Sequence, residues 1–144
     1  MLKGPLTFNR DDVLARALDF HHAHYNCAQS VVCALAGEVG LNPDDCFKIM
    51  EGFGAGMGGM TETCGALSGA VAFIGLVNSD GSDTPGTSKG HGYVLSREVV
   101  ARFRQRNSTT ICGVLKGANG RPKLRTCDDC VLDACNIVMD VLSE

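Results

Sequence analysis

Apolar residues in this chain recur at three- and four-residue spacing in nearly every segment, and no stretch sustains a period-two alternation of β-branched and aromatic residues. A chain patterned this way must bury helix stripes against one another, so it reads as all-α. Its 144 residues, 44% of them hydrophobic, suffice for one core, and residues 1–144 are taken as a single cysteine-rich helical domain. Short connections make neighbouring helices antiparallel, giving a bundle of about six to seven helices with one Gly-rich connection.

Capping chemistry punctuates the bundle. Asp11 or Asp12 opens a first helix with Val13, Leu14, Leu18 and Phe20 inward, ending near His21, His22 and His24. Asn26 caps a second, with Gln29 completing a capping-box pattern and Gly37 or Gly40 at its end. Asn42-Pro43 starts a third through Met50, because proline suits a first helical turn. After the glycine-rich stretch from Gly52 to Met60, Thr61 or Thr63 opens a fourth helix to Val77, and Asn78 to Gly90 reads as a polar loop. A fifth helix is expected from Gly92 to Gln105 and a short sixth from Thr109 to Lys116. A basic loop from Gly117 to Arg125 follows, then a last helix from Thr126 to about Leu142.

The formal charge of −3 excludes an acidic tail or a chain that seeks nucleic acid generally. Between Lys89 and Arg125, however, nine Lys and Arg residues face one acid, Glu98. Arg97, Arg102, Arg104 and Arg106 lack the aromatic interleaving of a single-strand platform, so this face is expected to dock an acidic redox partner rather than nucleic acid. Met1 to Arg10 has no apolar leader core, and the longest apolar run, Gly65 to Val77, is too short to cross a bilayer. A cytoplasmic chain without a membrane segment is the expectation. An extracellular disulfide framework is the alternative if a leader has been removed. Cytosolic reductants keep ordinary thiols reduced, so the eight cysteines need a role other than permanent staples.

Four of them fall in predicted first turns, each just behind a capping residue: Cys27, Cys64, Cys112 and Cys127. Free backbone N–H groups and the positive end of the helix dipole stabilise a thiolate there, by about 0.3–1 kcal/mol and up to ~2 when partly buried. Cys27 is the expected nucleophile, because Glu62 lies near Cys64 and Asp128 beside Cys127. Cys27 and Cys64 are the expected reactive pair, with Ala28 and Gly65 leaving room for a second sulfur. Cys33, Cys46, Cys130 and Cys135 sit further inside helices, where a buried cysteine behaves as a small apolar residue. Cys127 and Cys130 nevertheless form a C-x-x-C on one helix face, with Asp128 and Asp129 opposing ionisation. Gly54-Ala55-Gly56-Met57-Gly58-Gly59 satisfies G-x-G-x-x-G but follows a helix rather than a strand, so it reads as flexible backbone bringing Cys64 to its neighbours. His21, His22 and His24 could add nitrogen ligands before Cys27 and otherwise are solvated; His91, between glycines, reads as exposed.

Three segments carry a resemblance: Asn26-Cys27-Ala28-Gln29-Ser30-Val31, Gly52-Phe53-Gly54-Ala55-Gly56-Met57, and Cys64-Gly65-Ala66-Leu67-Ser68-Gly69-Ala70, followed by Cys112 and Cys127. Over roughly residues 10 to 140 the chain resembles the redox-active proteins named for the pattern C_GCAxxG_C_C. Where the family name has Gly-Cys-Ala, this chain reads Cys64-Gly65-Ala66. The resemblance implies that Cys27, Cys64, Cys112 and Cys127 are the functional four. Cys130 competes for the last place, and Cys127 is chosen because it sets Val131 and Ala134 on the family's apolar positions.

Three functions are compatible with this reading. One is thiol–disulfide exchange or electron relay with a redox partner protein or a small thiol or disulfide. Another is a Cys-ligated zinc or iron–sulfur site on the same four residues, with Cys130 or His24 as substitutes. The third is a non-catalytic helical binding module; self-association into a homo-oligomer stays open. The redox and metal readings both require the four helix starts to meet at one end of the bundle.

Overall fold

The computed structural model describes residues 1–144 as seven α-helices with no β-sheet. They are α1 (Arg10–His22), α2 (Cys27–Val39), α3 (Pro43–Met50), α4 (Gly65–Asn78), α5 (Lys89–Asn107), α6 (Cys112–Lys116) and α7 (Cys127–Ser143). No helix is long and apolar enough to cross a membrane. Helix α2 is central, packed on α1, α3, α4 and α7, while α5 covers the far side of α4 and α7. The main core joins Leu35, Leu67, Phe73, Phe103, Val131, Val138 and Met139, all essentially without exposure.

Close packing of α2 on α4 depends on Gly69, where a Cβ would stand 2.8 Å from the Ala28 carbonyl oxygen and 3.1 Å from Val31 Cβ. The small side of α4 at Gly69 thus lets the two helices approach closely. Arg16 ties α1 to α2 by donating to the Ala34 carbonyl at 2.9 Å and to Glu38 at 2.8 Å.

Helices with a local cap chemistry start where the sequence places them. Asn26 accepts from the Gln29 amide at 2.9 Å while Gln29 Oε1 accepts from the Asn26 amide at 2.9 Å, completing the capping box. Asn42 accepts from Asp44 and Asp45, and Thr126 from Asp129. Elsewhere the boundaries shift. Asn9, not Asp11 or Asp12, caps α1. Helix α5 starts at Lys89 and takes in residues expected to be loop, so His91 is a partly buried helical residue, its Nδ1 2.7 Å from Asn78 Oδ1, rather than an exposed loop histidine. Helices α4 and α6 start later than expected, at Gly65 and Cys112, because the residues before them are drawn into pairing with each other.

Candidate functional site: a pocket of thiols at four helix starts

Thr63 and Ile111 form an isolated antiparallel bridge, in which the Cys64 amide donates to the Thr110 carbonyl at 2.7 Å and the Cys112 amide donates to the Glu62 carbonyl at 2.9 Å. These two bonds set Cys64, the N-cap residue of α4, beside Cys112, the first residue of α6. Gly117, left-handed at φ 76°, ends α6. The Leu124 and Arg125 amides then donate to the Leu115 carbonyl at 2.9 and 3.1 Å, folding the basic loop back over α6. That return delivers Cys127, first residue of α7, to the same place, and Cys27 arrives as the first residue of α2.

The glycine-rich connection is a fixed piece of this assembly rather than a hinge. Ala55, Gly56, Met57 and Gly58 have φ of 52°, 56°, 65° and 87°, a left-handed turn in which Ala55 and Met57 each cost roughly 1–2 kcal/mol. The turn is pressed against the helix starts. A Cβ on Gly54 would lie 2.5 Å from the Asn26 side chain, and one on Gly56 would lie 2.4 Å from Cys112 Cβ. Strain of this kind concentrates where a site needs a backbone group in one position. Here it points the Ala55 amide at the Cys27 sulfur. Gly65 gives that sulfur room, since a Cβ there would approach it to 2.9 Å.

Cys27, Cys64, Cys112, Cys127 and Cys130 line one pocket with Leu115, Lys116 and Arg125. The structure thus brings the four sequence-selected thiols together and adds Cys130, so that both Cys127 and Cys130 line the pocket. Only Cys127 is partly exposed; the other four are buried. Cys33, Cys46 and Cys135 do not line the pocket, and full burial pushes Cys135 up to about 12, as suits a core residue.

The electrostatics single out Cys64 rather than Cys27. A hydrogen bond from the Cys130 thiol lowers Cys64 from 9.0 to about 7 against the opposing effect of burial. The amides of Leu67 and Ala66 at the open end of α4, and the Lys116 ammonium, add to the lowering. Cys130 is raised in return, because it holds the proton next to that thiolate, is buried, and has Asp133 nearby. Cys27 and Cys112 are both raised, burial being the first cause. The electrostatics therefore run against Cys27, the nucleophile expected from the sequence. Its chain neighbours carry no acid, but burial outweighs the help from Ala55 and Lys116.

Lys116 is the residue that sequence reading missed. Burial lowers its pKa, but the hydrogen bond to Cys127 and the nearby thiols raise it more, so it stays a cation inside the pocket. Its signal was available: Cys112 and Lys116 are four apart on one short helix and so share a face. Arg125 at the rim is held by buried Asp133, donating from Nε and Nη2 at 3.0 and 2.9 Å. The acids beside Cys127 are also engaged elsewhere. Asp128 lies 2.5 Å from His21 Nδ1 and 2.8 Å from His22 Nε2, which hold its carboxyl below the usual range, and Asp129 lies 3.7 Å from Arg125. His21 and His22 are thus carboxylate partners. His24 is exposed at φ 73°, outside the pocket lining, and does not reach the sulfurs.

As placed, these donors do not form a metal-ligand set: no three His, Cys, Asp or Glu side chains converge to hold an ion. The space between the sulfurs is about 10 Å³, room for no more than one water. As placed, that space is smaller than an iron–sulfur cluster.

No curated protein and no solved structure matches the chain. Residues 25–141 match the family described as "Putative redox-active protein (C_GCAxxG_C_C)", a span that takes in all five pocket cysteines. The chain belongs to this family, and the role that membership brings is a redox one.

Proposed function

We propose that the protein performs thiol–disulfide exchange, with Cys64 as nucleophile and Cys130 as resolving thiol. The observation carrying this reading is that Cys64, the N-cap residue of α4, shares one pocket with the Cys130 thiol from across the bundle, and hydrogen bonding to that thiol is the chief influence lowering the Cys64 pKa. The Cys64 thiolate attacks one sulfur of a partner disulfide, breaking its S–S bond and releasing one partner thiolate. Cys130 then attacks the Cys64 sulfur, and its proton leaves on the second partner thiol. The products are a Cys64–Cys130 disulfide and a reduced partner, two electrons having passed outward; the reverse sequence oxidises a partner dithiol.

The partner enters where Cys127, the one partly exposed sulfur, stands beside Lys116. Arg121 and Lys123, exposed on the loop over α6, make that approach basic and favour an acidic redox protein. Cys27 and Cys112 stay protonated at neutral pH and form the pocket wall.

Peptide mapping after oxidation with one equivalent of a small disulfide tests this reading. A Cys64–Cys130 linkage is expected, and a Cys27–Cys64 linkage in its place would sink the assignment. Stoichiometric iron or zinc after anaerobic purification would sink exchange altogether. Lys116→Gln should raise the pH at which Cys64 ionises by a few tenths, because it removes the pocket cation. An unchanged midpoint would mean that Lys116 does not act on Cys64.

A further inference from the structure

Two cysteines outside the thiol pocket stand together between α2 and α3. Cys33 and Cys46 belong to one small buried cluster with Ala28, Val32, Ala36 and Met50. The Cys33 sulfur lies 3.7 Å from the Pro43 carbonyl oxygen. A helical carbonyl points toward the residues three and four further on, and helical side chains lean back toward the N-terminus. Cys46 is three residues after Pro43, so both sulfurs come to the same turn of α3. Each is near enough that ionisation of Cys46 would repel ionisation of Cys33.

Cys46 also walls an open groove of about 620 Å³ whose apolar lining includes Val32, Leu41, Ile49, Met50 and Leu76, whereas Cys33 is not part of that lining. The titratable group at that wall is Asp45, beside Cys46, with Asp44 next to it and paired to Lys48. An apolar trough with a carboxylate at its edge favours neutral or cationic apolar molecules over anionic ones.

We infer that Cys33 and Cys46 are a second dithiol, which closes to a disulfide between α2 and α3 by exchange with small, neutral or cationic apolar disulfides entering through the groove. Cys46, as thiolate, attacks the reagent disulfide, giving a mixed disulfide and one released thiolate. Cys33 then attacks the Cys46 sulfur and displaces the second reagent thiol. The two electrons and two protons lost by the dithiol leave on two reagent thiols. Burial raises both sulfurs, Cys33 to about 11, so closure speeds up as pH rises. The residues are separate from those of the proposed exchange site, so either reading can fail without the other.

The test uses the full chain with excess diethyl disulfide or oxidised glutathione. Cleavage after Lys and Arg, together with cleavage after Glu38, puts Cys33 and Cys46 on separate peptides, 17–38 and 39–48, and fragmentation distinguishes Cys33 from Cys27. A Cys33–Cys46 cross-link is expected, forming roughly tenfold faster with the neutral reagent, the factor given by burying about two methylenes in an apolar groove. Cys33→Ser should trap an ethylthio adduct on Cys46, and Cys46→Ser should leave Cys33 unmodified. Failure to cross-link in protein that keeps its helical circular dichroism, or separate adducts on both sulfurs, would overturn the dithiol. Equal rates with the two reagents would overturn entry through the groove.

Discussion

At pH 7 a small alkylating reagent should modify Cys64 about fifty times faster than Cys33, from thiolate fractions set against intrinsic nucleophilicity. Cys64→Ser should remove that fast phase. Access does not separate the two sulfurs, which are 5% and 6% exposed. Ionisation does. A thiol lowered to about 7 is half thiolate at pH 7, whereas one raised to about 11 is about one part in ten thousand thiolate. That ratio, several thousand, is cut about a hundredfold because nucleophilicity falls with pKa at a Brønsted slope near 0.5. Against an unperturbed thiol at 9.0 the same arithmetic leaves Cys64 ahead by only about fivefold, so the contrast with the raised thiols carries the test. The sign with pH follows. Labelling of Cys64 should rise to a plateau with its midpoint near 7, while labelling of Cys27, Cys33 and Cys112 should still be climbing above 9. A midpoint for Cys64 near that of an ordinary thiol would remove the physical basis for assigning it as nucleophile.

What sequence reading could and could not see divides along the range of the interactions. Asn26 with Gln29, Asn42 with Pro43, and Thr126 announce helix starts because their partners lie within four residues, and those starts appear where expected. The convergence of Cys27, Cys64, Cys112 and Cys127 was legible for the same reason: first-turn placement put all four at helix starts, and antiparallel neighbours bring alternate starts to one end.

Lys116 aside, whose four-residue spacing from Cys112 is local, the features it missed are set largely by residues far along the chain. Cys64 becomes the cap of α4 because Thr63 pairs with Ile111, 48 positions away, and takes the residues before it out of the helix. Judging nucleophiles by neighbouring acids favoured Cys27, yet Cys64 is lowered mainly by Cys130 from the far end of the chain. The acids next to Cys127 looked hostile to a thiolate only while His21, His22 and Arg125 were out of view. In the glycine-rich connection, composition suggested freedom. Positive φ at Ala55, Met57 and Met60 shows that tertiary contacts overrule that freedom, because those residues enter the left-handed region at a cost.

Gly56→Ala should therefore be among the most damaging single-methyl changes in the molecule, costing about 2–5 kcal/mol, while Gly58→Ala two residues later costs only about 1–2. Both glycines have positive φ, +56° and +87°, so both substitutions carry the left-handed penalty. They differ in space. Nothing lies within 4 Å of a Cβ on Gly58, whereas one on Gly56 would meet Cys112 Cβ at 2.4 Å and the Glu62 carbonyl oxygen at 2.9 Å. Neither neighbour yields easily. Glu62 and Cys112 are backbone partners in the bridge that sets Cys112 beside Cys64, and the Glu62 amide also donates to the Gly56 carbonyl at 3.3 Å. Overpacking of about 1–3 kcal/mol thus adds to the conformational cost at Gly56 alone. The same displacement would move Cys112 and loosen the connection leading into Cys64, so Gly56→Ala should also raise the midpoint of Cys64 labelling toward 9 while Gly58→Ala leaves it in place. Urea unfolding of the two variants gives the stabilities, and the alkylation profile gives the midpoints. Equal losses of stability would show that the left-handed backbone alone governs the turn, and that its packing against Cys112 contributes nothing to holding the thiols together.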